Sequence, residues 1–181
     1  MNKSSICSCV AIITCRNEEV NLRRFLPLYI KEGLSIFIID HSSTDSSKMI
    51  IDEYMGKGII GYKIMEYDGI FSLKKQLEIK QEVINTIKHD WVIHLDADEF
   101  IQSNRENESI QEAITRIDSE GYNAINFDEF VFLPIKNNFS YYYFFDPCSN
   151  NPRRVIAWKR SLNFTNINNG GHKLDESSNL K

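Results

Sequence analysis

Residues 91–100 read WVIHLDADEF, an apolar run that leads directly into three carboxylates within four residues. The apolar part, 91–95, is typical of a strand that is buried on both faces of a parallel sheet. Asp96, Asp98 and Glu99 would then leave this strand at its carboxyl end. Like charges this close repel one another, so the arrangement favours a cation or hydrogen-bond donors beside them.

The sequence before this stretch alternates apolar runs with amphipathic segments. The predicted strands cover 9–13, 34–39, 59–65 and 91–95, and the predicted helices lie between Asn17 and Gly33, between the polar cluster 40–45 and Tyr54, and over 71–89. Strands that alternate with helices predict an α/β domain with a central, mainly parallel sheet flanked by helices.

The first predicted helix carries three local signals. Asn17 is expected to cap its amino terminus, and Gly33 to end it. Pro27 lies inside its apolar stripe and predicts a kink or a break, because proline removes one backbone hydrogen bond.

The second half of the sequence is richer in aromatic residues and predicted strands. A helix over 106–119 precedes strands over 124–133, 141–145 and 155–158, which we expect to continue the same sheet. The polar stretch 166–181 lacks a closing apolar element. This indicates either a mobile tail or a sequence cut from something longer.

Composition excludes several classes of protein. The chain of 181 residues is 42% hydrophobic and 25% charged, which is ordinary for a globular domain. A net charge of −4 argues against a nucleic-acid partner. We find no apolar stretch long enough for a transmembrane segment and no signal peptide. Cysteines are too few for a disulfide framework, so we expect reduced thiols and a cytoplasmic protein; they are Cys7, Cys9, Cys15 and Cys148.

Polar residues concentrate at the carboxyl ends of the predicted strands, where open α/β sheets bind ligands. These ends are 14–17, 40–41, 66–68 and 96–98. One carboxylate of the last group can accept from a ribose hydroxyl while the other reaches a divalent ion. Oxygen ligands of this kind suit Mg²⁺ or Mn²⁺. The alternative is an acidic turn that only caps the next segment.

Three segments, in this order, resemble glycosyltransferase family 2, whose members have the GT-A fold. They are TCRNEE (14–19), IIDHSSTD (38–45) and WVIHLDADEF (91–100). The nearest branch carries a DxDEF motif, and the resemblance runs from about Val10 to His172. It implies one GT-A (Rossmann-like) domain over 1–181, with a nucleotide-sugar half at about 8–104 and an acceptor-side half at about 105–181.

The resemblance implies a site for the nucleoside of the donor. Thr14 corresponds to a nucleobase contact and Asp40 to a residue that helps hold the nucleoside. Asn17 and His41 lie at the same strand ends and join this binding set. Many relatives have a second aspartate where this chain has His41, so the base stays open, although uridine is the default.

The resemblance also implies a metal site, for Mn²⁺ or Mg²⁺. Asp96 corresponds to the carboxylate near the ribose and Asp98 to the metal ligand. His172 follows two glycines and corresponds to a histidine that completes the metal or diphosphate site; the alternative is a solvated histidine. His94 lies inside a strand and is expected to be a core histidine with its hydrogen bonds satisfied.

An inverting transfer needs a carboxylate that deprotonates the acceptor. Asp128 and Glu129 are the candidates, and strand alternation would place them on opposite faces, so that one faces the site. The alternative is that a carboxylate there is only an outward-facing polar position of an alternating strand. The aromatic run 141–145 either stacks on a sugar ring or belongs to the core. Arg154 and its basic neighbours would neutralise diphosphate or remain solvated.

The resemblance thus implies a metal-dependent, inverting, hexosyltransferase-type glycosyltransferase. It would move a sugar from a nucleotide-diphosphate sugar, with a UDP-sugar favoured, to a saccharide, lipid-linked or other hydroxyl acceptor. Peripheral membrane association stays open. One alternative is an inactive nucleotide-sugar-binding module. Another is a haloacid-dehalogenase-type phosphatase, which is disfavoured because its DxD follows the first strand rather than the fourth.

Overall fold

The α/β class is confirmed in the computed structural model, which describes residues 6–134, 141–145, 153–162, 165–171, 173–175 and 180–181. The strands are β1 Cys9–Cys15, β2 Ser35–Asp40, β3 Ile59–Ile64, β4 Trp91–Asp96, β5 Ala124–Asp128, β6 Phe130–Pro134, β7 Tyr141–Phe145 and β8 Arg153–Lys159. The helices are α1 Glu19–Lys31, α2 Ser47–Tyr54, α3 Leu73–Thr86 and α4 Ile110–Ser119, with short 3-10 turns at Arg160–Leu162 and Ile167–Asn169.

The main sheet has six strands in the order β3-β2-β1-β4-β8-β5. The first four are parallel, and β8 runs antiparallel to both of its neighbours, β4 and β5. In this register Thr14 lies level with Ile39 on one side and with Asp96 on the other. The carboxyl ends of the three central strands therefore meet at one edge of the sheet.

Apolar side chains cover both faces of the sheet. On β1, Ala11 and Ile13 belong to a core cluster that includes Leu26 of α1, whereas Val10 and Ile12 belong to a second cluster that includes Val83 of α3. Because successive side chains point to opposite faces, both faces of β1 need apolar residues. This explains why its sequence is continuously apolar rather than alternating.

For α1, the expected cap at Asn17 and the expected break at Pro27 are both wrong. Asn17 does not cap the helix, because Glu18 is the N-cap residue and makes no side-chain cap bond. Asn17 has a φ of 56° and its Oδ1 accepts from the backbone N–H of Thr44, at 2.7 Å. Pro27 does not break the helix, which continues to Lys31. Pro27 lies on an exposed face, where water can bond the carbonyl that the proline leaves without a donor.

The predicted strand over 124–133 is divided in two. Glu129 separates β5 from β6, and β6 pairs with β7 in a separate two-stranded sheet, contrary to the expectation of one continuous sheet. The last pair between β5 and β8 joins Asp128 to Arg153, the first residue of β8. Beyond this pair no described residue lies opposite β5, and the chain leaves the main sheet at Glu129.

The polar stretch 166–181 does supply apolar contacts, contrary to expectation. Among its described residues, Leu174 is buried and Leu180 packs against the core cluster formed with α3. Asn166 is also buried. None of the helices in the described ranges is both long and apolar enough to cross a membrane.

Gly33 ends α1, as predicted. Its φ of 83° lies in the left-handed region, and its N–H donates to Ile30 O at 3.1 Å. The N–H of Leu34 donates to Tyr29 O, also at 3.1 Å, which completes the closing turn before β2. A Cβ at Gly33 would collide with the side chain of Gln111, whose Nε2 donates to Cys7 O.

We expect Gly33→Ala to lower the free energy of unfolding by about 2–3 kcal/mol, from left-handed backbone strain plus the loss of the Gln111 hydrogen bond. Gly56→Ala is the matched control, because Gly56 also has a positive φ, 74°, but an added Cβ meets no atom there. It should cost only about 1 kcal/mol of strain. Denaturant unfolding of both variants measures the difference, and equal losses would contradict the packing argument.

Candidate active site

Asp96 ends β4 with one carboxylate oxygen turned inward. Thr14 Oγ1, Gln76 Nε2 and Lys80 Nζ lie 3.4, 3.5 and 3.4 Å from the same atom, Asp96 Oδ1. The Asp96 side chain is nevertheless 48% exposed, and its other oxygen has no hydrogen-bond partner among the described residues. Asp96 therefore presents Oδ2 at the carboxyl edge of the sheet, where a ligand can reach it.

Lys80 lies beneath this carboxylate, on the buried face of α3. It is only 2% exposed, and its Nζ lies 2.8 Å from His94 Nε2 and 3.1 Å from Leu95 O. Burial lowers the pKa of Lys80 from its usual value, and the Asp96 carboxylate opposes this shift. A buried amine is costly unless it is fully hydrogen-bonded, and these partners supply the bonds.

The same network continues from His94 towards the predicted Gly-Gly-His element. Asn166 Nδ2 lies 3.0 Å from His94 Nδ1 and 3.3 Å from Gly171 O. The expectation of a buried His94 with satisfied hydrogen bonds is confirmed. His172, the predicted metal ligand, lies outside the described residues, so its role stays a prediction.

Glu99 closes the acidic turn after β4. Its Oε2 accepts from the N–H of Asp96 at 3.1 Å, and its own N–H donates to Asp96 O, also at 3.1 Å. Burial raises the pKa of Glu99, while the Asp96 N–H and the nearby Arg154 oppose the shift. Asp98 lies at the exposed tip of this turn and makes no hydrogen bond or ion pair within the described part of the chain.

Arg154 joins the acidic turn to one of the two predicted bases. One guanidinium nitrogen lies 3.0 Å from Glu99 Oε1 and the other 2.8 Å from Glu129 Oε1. Arg154 is therefore ion-paired with two carboxylates, whereas the sequence predicted that it would neutralise diphosphate or remain solvated. Asp128 is exposed at the end of β5. Of the two candidates, the structure brings Glu129 next to the acidic turn.

The ends of β1 and β2 are tied to each other by side chains. Asp40 is only 3% exposed, and its Oδ1 accepts from the N–H of Ser43 at 3.0 Å and from its Oγ at 2.6 Å. Asn17 is exposed, and its backbone N–H donates to Ser43 Oγ at 2.9 Å. Asp40 and Asn17 thus shape the loop over 40–45, next to Thr14.

His41 is buried against the end of β3 rather than open to solvent. Its ring is 4% exposed and meets the ring of Tyr67 edge-on, with centroids 5.1 Å apart. The Arg16 guanidinium lies 3.5 Å from the Tyr67 ring centroid and donates to His41 O at 2.6 Å. Burial, and then the charge of Arg16, lowers the pKa of His41. Arg16 and Tyr67 thus lie beside the ligand edge, after the carboxyl ends of β1 and β3. Sequence reasoning assigned neither of them a role of its own.

Gln76 and Lys80 were also missed, although the sequence held a signal for them. They are four residues apart and lie on the same helix face as Leu77 and Ile84. Two polar side chains on an otherwise apolar face indicate that they meet polar partners inside the protein. Gln76 Nε2 donates to Thr14 Oγ1 at 2.8 Å, which fixes the hydroxyl at the end of β1.

Asp98 offers an exposed carboxylate just beyond the end of β4, which suits a metal ion. Within the described residues no three His, Cys, Asp or Glu side chains are close enough together to hold a metal ion. Carboxylate oxygen is the ligand type that Mg²⁺ and Mn²⁺ prefer, and Mg²⁺ commonly takes its remaining ligands from water and substrate phosphates. Asp98 thus suits the predicted ion as a single protein ligand.

The model of glycosyltransferase family 92 matches residues 4–174. This chain belongs to glycosyltransferase family 92. The motifs had suggested family 2, so the class is confirmed and the family is corrected. The match includes the whole of the main sheet, from β1 to β8, together with the acidic turn.

Solved structures of TarS from S. aureus are similar in part. TarS itself is 16% identical with a TM-score of 0.49, and the match covers 65% of this chain and 20% of that one. TarS 1–349 in complex with UDP is 15% identical, with a TM-score of 0.48 over 65% of this chain and 34% of that one. The complex with UDP-GlcNAc is 17% identical, with a TM-score of 0.48 over 65% and 33%. This chain thus spans a fifth to a third of those structures, and no curated protein matches it significantly.

We expect Arg154→Met to lower the free energy of unfolding by about 1–3 kcal/mol at pH 7, because it leaves Glu99 and Glu129 as unpaired, partly buried charges. A carboxyl whose pKa is raised in the folded state destabilises folding above that pKa, and the penalty disappears as the pH falls through it. Since burial already raises the pKa of Glu99, the loss should shrink between pH 7 and about pH 4.5.

Arg23→Met is the matched control for this measurement. Arg23 lies 3.9 Å from Glu53 and both side chains are more than half exposed, so its removal should change stability by less than about 0.5 kcal/mol at either pH. Unfolding at several pH values compares the two variants. A pH-independent loss in Arg154→Met would contradict the proposed charge pairing.

Proposed function

We propose that this chain carries the donor site of a metal-dependent, inverting glycosyltransferase. It would move a hexose from a nucleotide-diphosphate sugar, a UDP-sugar by default, to a saccharide, lipid-linked or other hydroxyl acceptor. The observation that supports this best is that Asp96 ends β4 level with Thr14, with Asp98 two residues on, in a member of glycosyltransferase family 92. A cytoplasmic location and peripheral membrane association remain predictions from the sequence.

The donor nucleoside is proposed to lie across the carboxyl ends of β1, β2 and β4. Thr14 would face the base, and the loop shaped by Asp40 would hold the nucleoside. Asp96, with Oδ1 engaged by inward donors, has Oδ2 available to accept from a ribose hydroxyl. Buried His41 would support this nucleoside site indirectly, through its contact with Tyr67.

The diphosphate is proposed to lie beside the acidic turn. Asp98 would hold a Mn²⁺ or Mg²⁺ ion there, with His172 as the further ligand that the sequence predicts. When bound, the ion would offset the negative charge that develops on the leaving diphosphate. Glu99 would contribute by fixing the turn from which Asp98 projects.

Glu129 is our proposed base, with Asp128 as the weaker candidate. Arg154 holds Glu129 beside the acidic turn, whereas Asp128 is an exposed residue at the end of β5. A carboxylate in this position would take the proton of the acceptor hydroxyl as the new glycosidic bond forms. The alternative function is a nucleotide-sugar-binding module that transfers nothing. A dehalogenase-type phosphatase is not supported, because the acidic motif follows the fourth strand.

We expect one of UDP, GDP and CDP to raise the thermal unfolding midpoint by several degrees, and only when Mn²⁺ is present. A ligand at about 100 times its dissociation constant adds about 2.7 kcal/mol, which corresponds to such a shift for a domain of this size. Asp98→Ala should abolish the shift. Asp52→Ala, which changes an exposed carboxylate on α2, should leave it intact.

Two results would contradict this prediction for the donor site. If none of the three nucleotides moves the midpoint, or if Asp98→Ala responds as the wild type does, the assignment of Asp98 and of the donor site is wrong. A shift that persists in EDTA would support the nucleotide site but contradict its dependence on a metal ion.

We expect Glu129→Gln to lower the rate of sugar transfer by about 10² to 10⁴, the usual contribution of a general base. The stabilisation by nucleotide should stay unchanged, because Glu129 is assigned to the acceptor. Asp128→Asn is the adjacent control and should retain most of the rate. Donor consumption under saturating substrate measures both. If Asp128→Asn loses the rate and Glu129→Gln keeps it, Asp128 is the base. If the wild type transfers no sugar, the alternative function, a nucleotide-sugar-binding module, is supported.

A further inference from the structure

Lys80 is an unusual residue to find in the core of this domain. Lysine is rarely fully buried, because removing its charge from water is costly unless every donor is used. Here Nζ reaches His94 Nε2, Leu95 O and Asp96 Oδ1 at 2.8, 3.1 and 3.4 Å. Two of these partners are interior groups of β4, and only Asp96 opens to the ligand edge.

The contact with Asp96 restricts a specific rotation. An aspartate without such partners can turn about its last side-chain bond over a broad range of torsions, so that neither oxygen keeps a fixed direction towards the ligand. In this structure the three neighbouring donors all engage Oδ1, and Lys80 is the one among them that carries an ammonium. All three contacts are long, and because an ammonium attracts a carboxylate more strongly than a neutral donor does, Lys80 contributes most to this orientation.

We propose that Lys80 is a positioning residue, which anchors one oxygen of Asp96 in the protein so that the other accepts from a ribose hydroxyl of the donor. This inference rests on the proposed function, and adds that Lys80 sets the preference for ribonucleotides over deoxyribonucleotides. Lys80 does not touch the donor in this arrangement, since it is 2% exposed. It acts only through Asp96.

A structural role and a positioning role make different predictions. If Lys80 only filled space and bonded the polar groups of β4, its replacement would lower stability and would lower the affinity for every nucleotide equally. If it positions Asp96, its replacement weakens the nucleotide that has the hydroxyl and spares the one that lacks it. The ratio of the two affinities therefore separates the roles, even when the variant is less stable.

The test compares calorimetric affinities, in the presence of Mn²⁺, for UDP and its 2′-deoxy and 3′-deoxy analogues, or for GDP or CDP if that base binds. Wild type should bind the ribonucleotide about tenfold or more tightly than at least one analogue, as a hydrogen bond to a charged acceptor implies. In Lys80→Met this ratio should fall several-fold, because only the neutral donors Thr14 and Gln76 would still hold Asp96 Oδ1. Val83→Ala, a buried change on the same helix, should lower stability and keep the wild-type ratio.

Lys80→Gln covers the case in which Lys80→Met does not fold. Its amide can still bond the interior of β4, but it ends one bond short of the lysine nitrogen and should no longer anchor Asp96, so the ratio should again fall. A wild-type ratio in either folded variant would overturn the positioning role while leaving the nucleotide site intact. A wild type that binds nucleotides without preferring the ribose, or variants that weaken all of them equally, would also overturn it. A wild type that binds no nucleotide would overturn the proposed function and this inference together.

Discussion

Strand β1 lies between β2 and β4 and is parallel to both, and this pairing determines where the chemistry can be. Parallel strands end at the same edge, so residues far apart in sequence meet there. Thr14 and Asp96 are 82 residues apart and lie in hydrogen-bond contact. The pairing also leaves β1 buried on both faces, so its polar groups are confined to its ends.

The crevice edge depends on polar side chains that reach it from inside. Gln76 and Lys80 project from α3 to the ends of β1 and β4, and Asn166 reaches His94 from the other end of the chain. Buried polar networks rigidify a site when every member is bonded and destabilise it otherwise. Arg154 has the corresponding role at the surface, where it holds Glu99 and Glu129 together.

The sequence was sufficient for the four parallel strands of the main sheet, because continuous apolar runs and strand-end carboxylates are local patterns. It failed where the outcome depended on distant partners. Asn17 is a residue type that commonly caps helices. In this structure its side-chain oxygen instead accepts from the backbone N–H of Thr44. The strand over 124–133 divides at Glu129 because its partner strand begins opposite Asp128. Lys80 could be suspected from the helix pattern, but only the fold showed that Asp96 lies above it.

A nucleoside diphosphate is proposed to bind at the carboxyl edge of β1, β2 and β4. Amide chemical shifts of the isotope-labelled protein, titrated with UDP, GDP or CDP and Mg²⁺, test this proposal most directly. We expect the largest changes within 14–17, 40–45 and 96–99. Changes that cluster instead at the opposite edge of the sheet, around Ser8 and Asp90, or no changes with any nucleotide, would contradict it.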